Sequence, residues 1–426
     1  MFSEKALEFL KSHRMNSHLV DPAECSEAML EDMKRGLAGL SSDMPMIPTY
    51  LSNDGILPAN EPVIVIDAGG TNFRCGVLRF TEEGYEVSGL YKQKMPGIDA
   101  PCSWDGFVAF IVDKLQPILD KSDYIGFCFS FNADVTPEID AKVIKIDKEV
   151  VISDSEGQLV GASINAELKR RGLKEKKIVI LNDTAAVLLG GAALINKEKY
   201  SGFIGQVSGT GTNTCTSLPV GMIGKLGIEG ERGMLVNLES GSYRGIRGGD
   251  FDAVLDENSH NPNTKLFEKL TAGVYLGELC RLILHAAADE GCLSPAAAEY
   301  AKSLTQLGTA TINAWADGED LECFGNDPED GNFVRTCSRE LLKRSARCMS
   351  TNLIAIGRLL GEGKDPAKPI CVLAEGSLVQ KSTCYRNQLE RMLDRYGAEK
   401  LGVHIYLNVG QETTLTGSAA ASLLNC

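Results

Sequence analysis

The stretch "VIVIDAGGTNFRCGVLRF", Val63 to Phe80, decides how the rest of the chain is read. Four β-branched apolar residues run without interruption. An unbroken apolar run of this length suits a strand covered on both faces. It ends in Asp67, two glycines, Thr71 and Asn72, and a second strand-like run follows. A structural hairpin needs only a Gly-Gly or Asn-Gly pair at its tip. The Asp before the pair and Arg74 after it need another explanation.

Working outward, the pattern continues with a third strand at "YEVSGLYKQK" and a helix at "WDGFVAFIVDKLQPIL". A buried strand "YIGFCFSF" (124–131), a helix near 160–172 and a strand "KIVIL" (177–181) follow. The chain then restarts. "FIGQVSGTGTNTCTSLP" (203–219) is again strand, glycine turn and strand, continued by "GMIGKLG" and "GMLVNLES". Helices fill 265–360, strands lie near 369–374 and 403–408, and a helix closes the chain. This reads as an internal duplication, with Gly70-Thr71-Asn72 echoed by Gly211-Thr212-Asn213. Upstream, Asp21-Pro22-Ala23-Glu24 is a helix start with a capping Asp and Pro in the first turn. Met29, Met33, Leu37 and Leu40 mark that helix's apolar stripe. "NDPEDGN" (326–332) reads as a polar loop.

Composition narrows the function. The 426 residues are 43% hydrophobic with a formal charge of -14. That is enough chain for two or three domains, and a surface that repels nucleic acid and anionic lipid. No apolar run reaches the ~20 residues of a membrane span, and "MFSEKALEFLKSHR" lacks the apolar core of a secretory signal. Thirteen dispersed cysteines without CxxC pairs point to free thiols in a reducing cytoplasm.

As chemistry, the first turn is an anion grip. Glycine lets backbone N–H groups approach an anion, Thr71 and Asn72 add donors, and Arg74 adds a charged fork. Asp67 suits Mg2+, held through water, because hard cations take oxygen ligands. "SGTGTN" (208–213) leads into a strand, so it is not a dinucleotide fingerprint, which must open a helix. It reads as a second phosphate-facing hairpin, with Thr210 donating to a terminal phosphate. Asn182-Asp183-Thr184 lies between a strand and a helix. One reading is a helix cap, the other a general base at the mouth of a cleft. Glu239 follows a strand. Glu268 sits in a helix, where most glutamates are solvated surface. "VLAEGS" (372–377) and "GQETTLTGSAAA" (410–421) set small residues where helices pack closely or where a flat adenine ring fits.

These segments together resemble the hexokinase family of the actin-like ATPase superfamily, over almost the whole chain. "DAGGTNFR" is similar to its first phosphate motif, "GFCFSF" to its sugar signature and "LNDT" to the segment of its catalytic Asp. "GTGTN" resembles its second phosphate loop, "NLESG" its Asn-x-Glu-x-Gly and "FEKLTAGVYLGELCRLIL" its long helix. "MPMIPTYLS" resembles the extended segment before the first strand. The resemblance implies an α/β fold of two ribonuclease H-like lobes with a mixed sheet in each. The small lobe would be 61–182 with helix 411–426, and the large lobe 183–410 with 1–60. It implies a hexokinase acting on the 6-hydroxyl of a hexose, glucose or also mannose or fructose, with ATP and Mg2+. It further implies two lobes that close on the sugar, in a cytoplasmic monomer or homodimer.

Residue by residue, the resemblance makes Asp183 the general base. Ser130, Lys148, Asn182, Asn213, Glu239 and Glu268 become the sugar partners. Asp67, Gly69, Gly70, Thr71, Asn72, Arg74, Gly209 and Thr210 face the phosphates and Mg2+, and Gly376, Ser377 and Gly417 border the adenosine. The chain departs from the pattern at Asn132 (Pro in the family), Asp147 (Thr), Ser240 (Trp), Glu375 (Asp) and Leu415–Ala419 (Gly-Lys-Gly-Ala-Ala). Those changes lie on the sugar loop and the nucleotide rim. The alternative reading is a sensor that binds hexose with little turnover. A sugar-responsive regulator would need a helix-turn-helix and a Cys-rich zinc motif, and neither is present in the sequence. An actin- or chaperone-like ATPase would not need the Ser130, Lys148, Glu239 and Glu268 set.

Overall fold

The computed structural model describes residues 2–146, 150–325, 327–410 and 413–426. Its two large sheets share one topology. In the first, β1 (Val63–Gly69), β2 (Asn72–Thr81) and β3 (Gly84–Lys94) form an antiparallel meander. β4 (Tyr124–Phe129) pairs parallel to β1, and β5 (Lys177–Leu181) pairs parallel to β4. In the second, β6 (Gly202–Ser208), β7 (Thr212–Pro219) and β8 (Gly233–Asn237) repeat the meander. β9 (Ile370–Glu375) is parallel to β6, and β10 (Ile405–Val409) is parallel to β9. The second sheet gains one edge strand, Ile47–Pro48, antiparallel to β8.

The unbroken apolar run of β1 has a direct cause. Ile64, Ile66 and Ala68 face one core, with Trp104, Phe107 and Ile111. Val63 and Val65 face another, with Leu415, Ala419 and Ala420 of the last helix. Successive strand residues point to opposite faces, so both must be apolar.

Two helices join the sheets. α1 (Asp183–Ala193) follows β5 directly, and α4 (Thr413–Asn425) lies across it. A Cβ on Gly417 would sit 1.9 Å from the Ala186 carbonyl oxygen, so the absent side chain sets how closely the helices cross. Between them in sequence come α2 (Leu266–Thr271) and α3 (Pro328–Leu360). α3 is the spine of the largest core, shared with Met29 and Met33 of helix Pro22–Leu37.

Three local expectations are corrected. "NDPEDGN" is mostly helix, because Asp327 accepts from the Glu329 N–H and Pro328 opens α3; Asn326 lies outside the described residues. "GMIGKLG" forms two short 3-10 turns rather than a strand, ending at Gly227 with φ 64°. Leu40 is 58% exposed, because helix Pro22–Leu37 ends before its stripe reaches that residue. Among the described residues, no helix is long and apolar enough to cross a membrane. Among the described residues the cysteines form no disulfide.

Candidate active site

Both turns and the α1 N-terminus follow the carboxyl ends of strands, where ligands of α/β sheets gather. The first turn is short. Gly69 pairs with Asn72, leaving Gly70 and Thr71 at the tip. Gly70 has φ 68°, which glycine adopts without penalty, and a Cβ there would meet nothing within 4 Å. Thr71 and Asn72 are exposed. Behind the tip, Asp67 and Arg74 are cross-strand partners. Arg74 Nε and Nη2 donate to Asp67 Oδ2 at 2.9 and 2.6 Å, and Nη2 also donates to Thr414 Oγ1 of α4 at 3.1 Å. Ser130 lies beside this turn, its N–H on Ala68 O at 3.1 Å. Its Oγ is 3.0 Å from the position of a Gly69 Cβ.

The second turn is longer by one residue. Ser208 pairs with Thr212, so Gly209, Thr210 and Gly211 form the tip. The Gly-Thr-Asn echo is therefore out of step. Thr71 and Thr210 are the exposed tip threonines, whereas Thr212 is buried in the strand and accepts from Thr271 Oγ1 at 3.1 Å. The N–H of Gly273 holds Gly209 O at 2.7 Å, and the N–H of Thr212 donates to Glu268 Oε2 at 3.0 Å. Gly376 packs against the same turn. It has φ 117°, and a Cβ on it would lie 2.2 Å from Ser208 O. Ser377, next in sequence, is exposed. Gly417 is buried at the helix crossing, where the close Ala186 backbone calls for a residue without a side chain.

Between the turns, one hydrogen-bond network joins α1 to the second sheet. The helix-cap reading of Asn182-Asp183-Thr184 holds, and it falls on Asn182. Asn182 caps α1, its Oδ1 accepting from Ala185 N at 3.1 Å and Thr184 Oγ1 at 2.9 Å. Asp183 is the first helical residue, at the positive end of the helix dipole. Its Oδ1 accepts from Thr184 N at 2.8 Å and Asn182 Nδ2 at 3.3 Å. Thr184 Oγ1 is also 3.4 Å from Asn237 Oδ1. Asn237 Oδ1 accepts from Asn213 Nδ2 at 2.8 Å. Asn213 and Asn237 both donate to Glu239 Oε1 at 3.0 Å, and Lys265 Nζ donates to Glu239 Oε2 at 2.5 Å.

The two pocket glutamates titrate in opposite directions. Burial raises Glu239, but the Lys265 charge and the hydrogen bonds from Lys265, Asn237 and Asn213 outweigh it, so its pKa is lowered. Burial also raises Glu268, and there the Thr212 N–H and Lys265 do not compensate. Glu239 and Asp183 add repulsion, so its pKa is raised.

Of the expected sugar partners, the structure thus joins Asn182, Asn213, Glu239 and Glu268 to the network and charges around Asp183, while Ser130 lies beside the first turn. Lys148 lies outside the described residues. Sequence reasoning missed three residues: Asn237, Lys265 and Thr414. Asn237 was legible as the first letter of Asn-x-Glu. Lys265 and Thr414 reach their partners across distant elements and leave no local signal.

The hexokinase family model matches residues 7–193 and, in a second part, 203–424. Hexokinase-1 of Nicotiana tabacum is 27% identical, over 94% of this chain and 87% of its own. Hexokinase-2 of Homo sapiens is 28% identical over 92% of this chain, which spans 45% of that protein's length. Among solved structures, hexokinase from Schistosoma mansoni complexed with glucose superposes with a TM-score of 0.78 at 23% identity, covering 99% of this chain and 98% of that one. Another hexokinase crystal structure reaches 0.80 at 20% identity, with the same coverage.

Proposed function

Because the chain belongs to the hexokinase family of ATP-dependent hexose phosphotransferases, we propose that it phosphorylates the 6-hydroxyl of a hexose, glucose foremost, with Asp183 as general base. The observation that carries this reading is the placement of Asp183. It stands at a helix N-terminus, and its helix is wired through Thr184 and Asn237 to Asn213, just past the second glycine turn, and to Glu239. Phosphoryl transfer asks the protein for alignment and charge stabilisation more than for covalent chemistry. Asp183 accepts the proton as the sugar oxygen becomes the nucleophile. Ser130, Lys148, Asn182, Asn213, Glu239 and Glu268 orient the sugar. A missing or inverted hydroxyl leaves one of these groups unpaired, which makes the site selective.

The residues present fit MgATP. The Gly70 tip is open, Thr71 and Thr210 are exposed, and Asp67 offers a hard oxygen donor. Gly69, Gly70, Thr71, Asn72, Arg74, Gly209 and Thr210 would hold the phosphates, Asp67 the Mg2+ through water, and Gly376 and Ser377 the adenosine border. MgATP, when bound, supplies the transferable phosphoryl group and the counter-charge for it. Residues 61–182 with 411–426 close on 183–410 with 1–60 when sugar binds, expelling water that would otherwise hydrolyse ATP. Cysteines that form no disulfide among the described residues suit a cytoplasmic setting.

The test is ADP release from MgATP across glucose, mannose, fructose, glucosamine, N-acetylglucosamine and no sugar, beside Asp183→Ala. Sugar-dependent turnover that falls at least about 100-fold in the variant, with hexose affinity changed by less than about threefold, is the expected result. Hexose binding without turnover by any sugar would replace the kinase with a sensor.

A further inference from the structure

Both partners of the ion pair in the sugar pocket hold a backbone conformation that is unusual outside glycine. Glu239 lies at φ 55°, ψ 43° and Lys265 at φ 52°, ψ 40°. A long side chain persists in this left-handed region where its surroundings over-determine it, and such residues gather at functional sites. The two come from separate segments, and their side chains meet at 2.5 Å. The loop that delivers Lys265 is tied down behind it. Lys269, one turn along, donates to Asp256 Oδ1 at 2.5 Å and to Ser259 Oγ and Asn261 O at 2.9 Å. Asn263 N–H donates to Asp256, and Arg244 Nη2 donates to Asn263 O at 2.7 Å. An incidental surface lysine has no such support.

The charged surroundings give this anchoring a purpose. Glu239, Glu268 and Asp183 bring carboxylates to the pocket, and Tyr275 lies within electrostatic range of Glu268. Without a counter-charge, this set would draw any cation into a cleft where solvent screens poorly.

Taking the pocket as a hexose site, we infer that Lys265 is a specificity-determining residue that makes the site choose neutral hydroxyl sugars over amino sugars bearing an ammonium. Its ammonium offsets the Glu239 charge and repels a second ammonium. A neutral hydroxyl meets no such penalty, since it can donate to a carboxylate and accept from the lysine. Specificity here comes from a repulsive element as much as an attractive one. Lys265 takes no part in the transfer itself.

The experiment is calorimetric titration of the full chain with glucose and with glucosamine, near pH 6.5 and near pH 8.5, on either side of an ordinary amine pKa of about 8. Wild type, Lys265→Gln and Lys265→Arg are compared, each with a thermal melt. In wild type the preference for glucose should be at least about tenfold greater at the lower pH, where the amine is charged. In Lys265→Gln this pH dependence should shrink below about threefold, and glucosamine affinity at the lower pH should rise about tenfold; Lys265→Arg should behave as wild type. An unchanged glucose-to-glucosamine ratio in folded Lys265→Gln overturns the role of Lys265 and leaves the hexose site standing. So does a wild-type ratio that ignores pH, a readout that survives a variant that fails to fold. Absence of hexose binding to wild type overturns both readings.

Discussion

The two glycine turns occupy equivalent places in two sheets of one topology, yet they are held differently. The first tip stands open. Its support is the Asp67–Arg74 pair behind it, and through Thr414 the start of the last helix. The second tip is built into its surroundings. Gly376 packs on it, Gly273 holds its first carbonyl, and Glu268 takes the N–H of Thr212. Duplication therefore preserved the strand order but not the division of labour. One turn is placed by its own sheet, by backbone hydrogen bonds from Met95 N–H to Thr71 O and Ser130 N–H to Ala68 O, and by one salt link. The other is placed by the large-sheet half of the molecule and shares Glu268 with the proposed sugar pocket.

The largest effect is expected where the second turn is packed. Gly376→Ala puts a methyl 2.2 Å from Ser208 O at φ 117°. It should lower stability by about 2–4 kcal/mol and cut kcat/KM at least about 100-fold, read by thermal melts and ADP release. Near-wild-type behaviour would mean that this turn is as loosely held as the first. Next, Arg74→Met strips the guanidinium from Asp67, which is 7% exposed. ATP KM should rise about 10–100-fold with hexose affinity unchanged. Equal weakening of both ligands would erase the contrast, since it would show the first turn coupled to the sugar as well.

Glu268→Gln tests the shared residue. It keeps an acceptor for the Thr212 N–H but removes the charge, and hexose affinity should fall about tenfold. Acid sharpens this. Glu268 has a raised pKa, so it takes up its proton first as pH falls from neutrality toward its ordinary 4.5. Glu239, with a lowered pKa, follows only below that value. In stability the signs are opposite. Ionisation of Glu268 costs the fold as pH rises through and above 4.5, whereas Glu239 contributes above 4.5 and loses its contribution as pH falls through its depressed pKa. Wild-type hexose affinity should therefore show an acid step above pH 4.5 that Glu268→Gln lacks, followed by calorimetry. The smallest effect belongs to the open tip. Gly70→Ala meets no atom within 4 Å, so φ 68° alone opposes it. About 1–2 kcal/mol of stability and less than about fivefold in kcat/KM should be lost.

Much of this was legible because apolar runs and glycine turns are local signals. "VIVI" announced a strand covered on both faces, and two cores do cover it. The restart at residue 203 announced the second sheet. The failures were of register and partner. The Gly-Thr-Asn echo matched letters across turns of different length, so it paired Thr71 with buried Thr212 instead of exposed Thr210. Gly417 read equally as a packing residue and as a ring neighbour, and its close approach to Ala186 could be seen only in the structure. Lys265 gave no sign, because its meaning lies in a glutamate 26 residues away and a loop folded back under it.

The last helix bears on how the chain is made. α4 carries Leu415, Ala419 and Ala420, which cover Val63, Val65 and Val179 of the first sheet. The strands that need this cover are complete at Leu181, and Thr413 comes about 230 residues later. At 5–20 residues per second, a ribosome needs about 12–46 s to supply it. For that interval the first sheet exists as nascent chain with one apolar face uncovered, so chaperone demand during synthesis should fall on the half of the protein that emerges first.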